Sequence, residues 1–94
     1  MAYTPLHPGN ILSEKLGELG MSAAELAREV HVPANRISQI IAGKRSITAD
    51  TALRLGKWFG TSPHIWLKLQ LSYELYMARQ RIGLKLEKIS PRKA

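Results

Sequence analysis

The sequence predicts an all-α fold of five helices, and three observations support that fold class. Apolar residues recur with the i, i+3 and i+4 spacing of a helix face in successive segments. Serine, threonine, proline and glycine residues, which begin and end helices, separate these segments. No two neighbouring segments have the alternating pattern of a strand pair.

The first two helices are predicted from their boundaries. The stretch MAYTPL reads as an extended arm, because Pro5 and Pro8 resist helix formation. The first helix is predicted to follow HPGN and to stop at Gly20. The second begins at Ser22, which stands in a capping-box relation to Glu25. Its predicted inward face is Ala24, Leu26, Ala27 and Val30.

The next three helices are also bounded by capping residues. Pro33 is predicted to be the first helical residue of the third helix, and Gly43 to cap its end. Thr48 is the predicted N-cap of the fourth helix. The fifth helix is predicted to start after Ser62 and to continue to about Gln80.

The charge is positive and concentrated at one end of the chain. The 94 residues include 14 Lys and Arg against 7 Asp and Glu, which is typical of a protein that binds a polyanion. We expect one folded domain over residues 1–80 and a basic tail over residues 81–94. Six basic residues lie from Arg79, just before the tail, to Lys93 within it. The tail alternates Ile82, Leu84 and Leu86 with polar residues, so a strand, a frayed helix and an ordered arm remain open.

Several other classes of protein are not supported by the sequence. The chain has no cysteine, no paired carboxylates and no glycine-rich phosphate loop, and its histidines, His7, His31 and His64, are scattered. No stretch approaches the roughly 18 apolar residues of a membrane span. Trp58 and Trp66 are expected in the core. We therefore expect a cytoplasmic protein that is not an enzyme, uses no metal or cofactor and does not bind a membrane.

The second and third helices have the spacing of a helix-turn-helix, with about three residues between them. In the third helix Ile37, Ile40 and Ile41 form an apolar stripe that must pack inward. The opposite face carries small and polar residues, and no acidic residue occurs from Val30 to Ala49. This face has Ala34, Asn35, Ser38, Gln39 and Ala42, with Arg36 beside it and Lys44 and Arg45 beyond the cap.

These are residue types that read DNA. Asparagine and glutamine can pair bidentately with adenine, arginine with guanine, and alanine can contact the thymine methyl group. The predicted DNA-binding residues are Ala34, Asn35, Arg36, Ser38, Gln39, Lys44, Arg45 and Arg28. Two alternatives stay open: Asn35 and Gln39 form an ordinary hydrated surface, and Arg28 pairs with a carboxylate instead of a phosphate.

The sequence resembles the HigA-type antitoxins, also called virulence-associated protein I, within the Xre and phage-repressor-like helix-turn-helix group. The resemblance spans about residues 6–77 and rests on HPGNIL, SAAELAREVHV, RISQIIAGKRSITADTALRL and FGTSPHIWLKLQLSYEL. It implies a five-helix, lambda-repressor-like homodimer that represses its own operon and neutralises a HigB-type ribonuclease toxin. It also implies base contacts by Ala34, Asn35, Arg36, Ser38 and Gln39, and a phosphate contact by Lys44.

The sequence departs from that family at three places. Ala23 stands where many relatives have a phosphate-binding glutamine, and His31 and Pro33 occupy turn positions where glycine and serine are common. Histidine tolerates a positive φ better than most residues, so we expect the turn to form. The basic tail replaces the acidic segment with which many antitoxins bind basic toxins, which favours DNA binding over toxin binding and suggests a phosphate-binding arm.

The fifth helix carries more apolar surface than one core requires. One stripe is Ile65, Trp66, Leu69, Tyr73, Tyr76 and Met77, and a second is Leu67, Leu71 and Leu75. The second stripe is the predicted homodimer interface; alternatively, the tail folds back over it. A two-fold dimer would place two recognition helices about 34 Å apart, so the predicted operator is an inverted repeat in double-stranded DNA.

Three functions are therefore considered. The first is a dimeric antitoxin that binds DNA and represses its own operon. The second is a toxin-inhibitor module in which DNA binding is secondary. The third is an Xre-type regulator, phage or metabolic, without a toxin partner. The resemblance favours the first function, which includes neutralisation of a ribonuclease toxin, and the other two are kept as alternatives.

Overall fold

The structure is a computed structural model that describes residues 5–92. These described residues form six helices: α1 (Pro8–Leu19), α2 (Ala23–Glu29), α3 (Ala34–Ile41), α4 (Ala49–Phe59), α5 (Pro63–Ile82) and α6 (Leu84–Glu87). The described residues contain no strand, and the predicted all-α fold class is confirmed. Residues 1–4 of the predicted arm and Lys93 of the basic tail lie outside the described residues.

Local capping explains where the first two helices begin. Helix α1 starts at Pro8, so the prediction that this proline delays the helix is wrong: its fixed φ suits a first turn. His7 is the N-cap, and its Nδ1 atom accepts a hydrogen bond of 2.9 Å from the amide of Gly9. The predicted capping box of α2 is confirmed by bonds of 3.1 and 3.2 Å between Ser22 and Glu25.

Two predictions about the helix-turn-helix are wrong by one residue. Pro33 is the N-cap of α3, with an extended ψ of 146°, and the helix begins at Ala34. Ala24 is exposed, whereas Ala23 packs against the core. Ala23 shares a face with the buried residues Leu26 and Ala27, at i+3 and i+4, whereas Ala24 lies one position further around the helix and is exposed.

The core lies between α1, α2, α3, α4 and α5. Gly9 allows α1 to approach α3, because a Cβ atom on this residue would overlap the carbonyl oxygen of Ile40. Trp66 is buried as predicted, whereas Trp58 is only half-buried. The buried apolar residues are Leu12, Leu16, Leu26, Ala27, Val30, Ile37, Ile40, Ile47, Ala52, Leu55 and Trp66.

The tail continues as helix. Helix α5 extends to Ile82, two residues beyond the predicted end and across the expected domain boundary at residues 80 and 81. Gly83, with φ of 49°, separates it from the single turn of α6, so the strand alternative for the tail is wrong. The tail leaves Leu71 and Leu75 exposed, which means that it does not fold back over them as the alternative required.

Candidate nucleic-acid interface

The turn between α2 and α3 has the backbone that a helix-turn-helix requires. His31 adopts a positive φ of 60°, as expected from its position. The amide of Val32 bonds to the carbonyl oxygen of Ala27 at 3.0 Å, and the amide of Arg36 bonds to that of Pro33 at 3.0 Å. These bonds satisfy backbone groups at the end of α2 and at the start of α3.

Helix α3 has one buried and one exposed face. Ile37 and Ile40 are buried and Ile41 is half-buried, so the predicted inward stripe is confirmed. Two predicted contact residues, Arg36 and Gln39, are half-buried at the edges of the exposed face. The outer face presents Ala34, Asn35, Ser38 and Ala42 to solvent.

Arg36 is held by the start of α4. Its Nη1 atom lies 2.7 Å from Oδ1 of Asp50, and Nε of Arg54 lies 2.8 Å from the same oxygen. Arg54 also donates to the carbonyl oxygens of Val30 and His31, at 2.7 and 3.1 Å. Hydrogen bonds from Arg54 first and Arg36 second hold the pKa of Asp50 below its ordinary value, against the opposing effect of desolvation. The network joins α3 and the end of α2 to α4.

Gln39 is held by the loop that follows α3. The amide of Lys44 bonds to the Gln39 carbonyl oxygen at 2.8 Å, and Nε of Arg45 donates to the side-chain Oε1 atom at 2.9 Å. Gly43, with φ of 75°, turns the chain back so that both bonds form. Within residues 5–92, the side chains of Asn35 and Lys44 form no hydrogen bond or ion pair.

The same loop is attached to α5 by a buried glutamine. The amide of Ile47 donates to Oε1 of Gln70 at 2.8 Å, and Nε2 of Gln70 lies 3.3 Å from Oε1 of Glu74. The hydroxyl of Ser46 reaches the same Glu74 oxygen at 3.3 Å. Sequence reasoning missed Gln70, Asp50 and Arg54. The available signal for Gln70 was a polar residue four positions after buried Trp66 on α5.

The predicted phosphate contact on α2 lies on the surface. Arg28 is exposed and, among the described residues, forms neither a side-chain hydrogen bond nor an ion pair. The carboxylate pairing considered for it therefore does not occur in this structure. Ala23, the position that departs from the family, contributes only packing to the start of α2.

The leucines of α5 divide into two groups. Leu67 packs against the core of its own chain, whereas Leu71 and Leu75 are 55% and 46% exposed. Ile65 and Met77, which were assigned to the inward stripe, are also exposed. The two exposed leucines, one helical turn apart, are the part of the predicted interface that is open to solvent.

The histidines of the described residues have structural roles. His7 is a buried cap, His31 lies in the turn, and Nδ1 of His64 is 3.1 Å from the hydroxyl of Ser62. Within residues 5–92, no group of three or more His, Cys, Asp or Glu residues could hold a metal ion. No described helix is both long enough and apolar enough to cross a membrane.

Two short helices joined by a constrained turn, with an acid-free outer face on the second, define a helix-turn-helix DNA-binding domain. Comparison with known families agrees, because the helix-turn-helix family model matches residues 12–66. Virulence-associated protein I of Dichelobacter nodosus is 49% identical over 76 residues, which cover 80% of this chain and 70% of that protein.

Solved structures narrow the class further. An addiction module antidote protein of the HigA family from Coxiella burnetii is 51% identical, with a TM-score of 0.92 over 96% of this chain and 100% of that one. Pseudomonas aeruginosa antitoxin HigA, solved with the higBA promoter, is 40% identical, with a TM-score of 0.90 over 95% and 99% of the two chains. The chain belongs to the HigA-type antitoxins and regulators of the helix-turn-helix family, which is a non-enzymatic family.

Proposed function

We propose that this chain is a dimeric, sequence-specific DNA-binding antitoxin that represses its own operon. The observation that carries the proposal is the outer face of α3, where Asn35 and Ser38 are exposed and no acidic residue is present. A related antitoxin has been solved with its promoter. The DNA-binding residues of the proposal are Ala34, Asn35, Arg36, Ser38, Gln39, Lys44, Arg45 and Arg28.

The proposed residues have two roles. Asn35 and Gln39 lie on α3, where a helix in the major groove reads base edges, and each good bidentate contact contributes about 1–3 kcal/mol of discrimination. Lys44 and Arg45 in the loop after α3 and Arg28 on α2 are exposed cations, and they would bind phosphates and set the overall affinity. Arg36 donates from Nη1 to Asp50, which orients its guanidinium group and leaves its other N–H donors for a base or a phosphate.

The proposed dimer forms through Leu71 and Leu75 of α5. Exposed leucines one turn apart favour burial against a second copy. A two-fold dimer would present two α3 helices about 34 Å apart, so the proposed operator is an inverted repeat. The proposed DNA-binding and dimerisation domain is residues 1–80, and residues 81–94 form a basic tail that adds phosphate contacts.

Neutralisation of a HigB-type ribonuclease toxin is the second half of the proposal. It is supported by the antitoxin and antidote relatives, and such a protein would act in the cytoplasm, where the operator is. Co-expression with the product of a short neighbouring reading frame tests it: growth inhibition by that product should be relieved, and the two chains should co-purify. If no such toxin exists, the chain is a regulator without a toxin partner.

DNA binding is tested by gel shift on the upstream DNA of the gene and on unrelated DNA, over a range of salt concentrations. We expect a preference of about 10³-fold or more for the upstream DNA, and an affinity that falls steeply with salt. Asn35→Ala combined with Gln39→Ala should abolish the preference. Gln80→Ala, which removes an exposed amide from α5, should not change it.

The same variants separate the candidate functions. If Asn35→Ala with Gln39→Ala loses operator binding but still binds toxin, the two activities use different surfaces. Equal, weak binding of the parent protein to both DNAs would contradict operator reading, since it would show only phosphate binding by basic residues. A toxin-inhibitor role would then be the better explanation.

A further inference from the structure

We infer that Arg45 is a positioning residue for base recognition, because it fixes the Gln39 amide with its NH2 group directed away from the loop. Gln39 then donates hydrogen bonds to acceptor atoms of the operator base, so we expect it to prefer guanine. The inference rests on the proposed function, which is operator binding through α3. It concerns only the orientation of one side chain within that site.

The orientation follows from the chemistry of the two side chains. Arginine carries only donors, so the atom that Arg45 Nε contacts at 2.9 Å must be the oxygen of the Gln39 amide. The nitrogen of the amide, with its two N–H donors, therefore lies on the other side. A glutamine without this neighbour could present either end to a base.

The backbone keeps Arg45 in place beside Gln39. The amide of Lys44 bonds to the backbone carbonyl oxygen of Gln39, so consecutive loop residues hold the main chain and the side chain of the same residue. The far end of the loop is attached to α5 through the 2.8 Å bond from Ile47 to Gln70. Because both ends of the loop are bonded, the contact between Arg45 and Gln39 is pre-organised before DNA binds.

Because the Gln39 amide is fixed, its hydrogen bonding differs among the four bases. In the major groove, guanine offers two adjacent acceptors, N7 and O6, whereas adenine has one acceptor beside an amino group and cytosine presents an amino group. An outward NH2 group fits guanine best and is opposed by cytosine. Arg45 is exposed, and its other guanidinium donors remain available for a phosphate. Arg45 would therefore contribute to overall affinity through the phosphate and to base preference through Gln39.

The test compares the variants Arg45→Met and Lys44→Met. Arg45 and Lys44 are neighbouring cations, but only Arg45 contacts the Gln39 side chain. Gln39→Ala first identifies the operator position that Gln39 reads, as the one where base discrimination is lost. Affinities are then measured by fluorescence anisotropy for operators carrying each of the four bases at that position. Salt dependence and thermal unfolding are measured for every variant.

We expect the parent protein to prefer guanine by about tenfold or more. Arg45→Met should reduce this preference because the Gln39 amide becomes free to rotate, whereas Lys44→Met should retain the preference. Both substitutions should lower the salt slope by about one, as expected for the loss of one phosphate contact each.

Three results would overturn the inference while leaving the proposed function intact. They are equal loss of affinity for all four bases in Arg45→Met, an adenine preference in the parent protein, and no position assignable to Gln39 in an otherwise specific operator. If the parent protein shows no preference for its upstream DNA, operator binding itself fails. The two failures are therefore distinguishable.

Discussion

At the scale of single residues, His7 caps helix α1 through a contact that requires its imidazole to be neutral. Its Nδ1 atom must carry a lone pair to accept the Gly9 amide at the start of α1. The ring also contacts Tyr73 of α5 edge to face, with centroids 4.9 Å apart. Burial lowers the pKa of His7 below its ordinary value of 6.5, and the Glu74 carboxylate only partly opposes this.

The pKa shift predicts that acid destabilises the fold. Below pH 6.5 the unfolded chain binds a proton at His7 before the folded chain does, so the free energy of unfolding should fall as pH decreases from 6.5 towards the lower folded-state pKa. His7→Asn keeps an N-cap acceptor but does not titrate, so it should lose this dependence. Urea denaturation at pH values between about 7.5 and about 5, on both sides of 6.5, measures the pH dependence of the free energy of unfolding.

His31→Asn is the matched control, because asparagine also tolerates the positive φ of that turn residue. This variant should retain the loss of stability in acid. If His7→Asn and the parent chain show the same pH dependence, His7 is not the group responsible.

At the scale of secondary-structure elements, the far end of the loop between α3 and α4 is held by α5. Gln70 is buried, and its side chain satisfies the amide of Ile47, which is also buried. This contact couples the helix that carries the exposed leucines to the loop that carries Lys44 and Arg45. The position of the proposed phosphate contacts therefore depends on a residue outside the helix-turn-helix.

Gln70→Met should lower the free energy of unfolding by about 1–3 kcal/mol, because it leaves the buried Ile47 amide without a partner. Operator affinity should fall with it, since the loop loses its attachment to α5. Gln80→Met makes the same change at an exposed position of α5 and should alter stability by less than about 0.5 kcal/mol. Chemical denaturation compares the two variants, and equal midpoints would contradict the assigned role of Gln70.

At the scale of the whole molecule, the long helix α5 carries several exposed large apolar residues, whereas α3 carries none among the described residues. Leu71 and Leu75 are exposed on one side of this helix, and α6 beyond it leaves Leu84 74% exposed. The proposed DNA-binding surface and these exposed leucines are thus on different elements. A dimer formed through α5 would leave both copies of α3 free to bind DNA.

Leu71→Glu combined with Leu75→Glu should give a monomer, because charges would then have to be buried in the proposed interface. Sedimentation equilibrium should report the mass of a single 10.5 kDa chain. Leu53→Glu is the control: this leucine is 62% exposed, but it lies on α4. A double variant that remains dimeric would place the interface elsewhere.

Sequence alone determined the helices, the helix-turn-helix and the inward face of α3, because periodicity and caps act within a few residues. It misplaced Pro33 and Ala24 by one position, since residue spacing alone does not fix the last residue of the turn or which of two adjacent alanines packs against the core. The tertiary structure decided that Arg36 binds Asp50, that Arg45 binds Gln39 and that Gln70 holds the loop. These partners are brought together by folding and by chain reversal at Gly43, and residue spacing alone does not reveal such contacts.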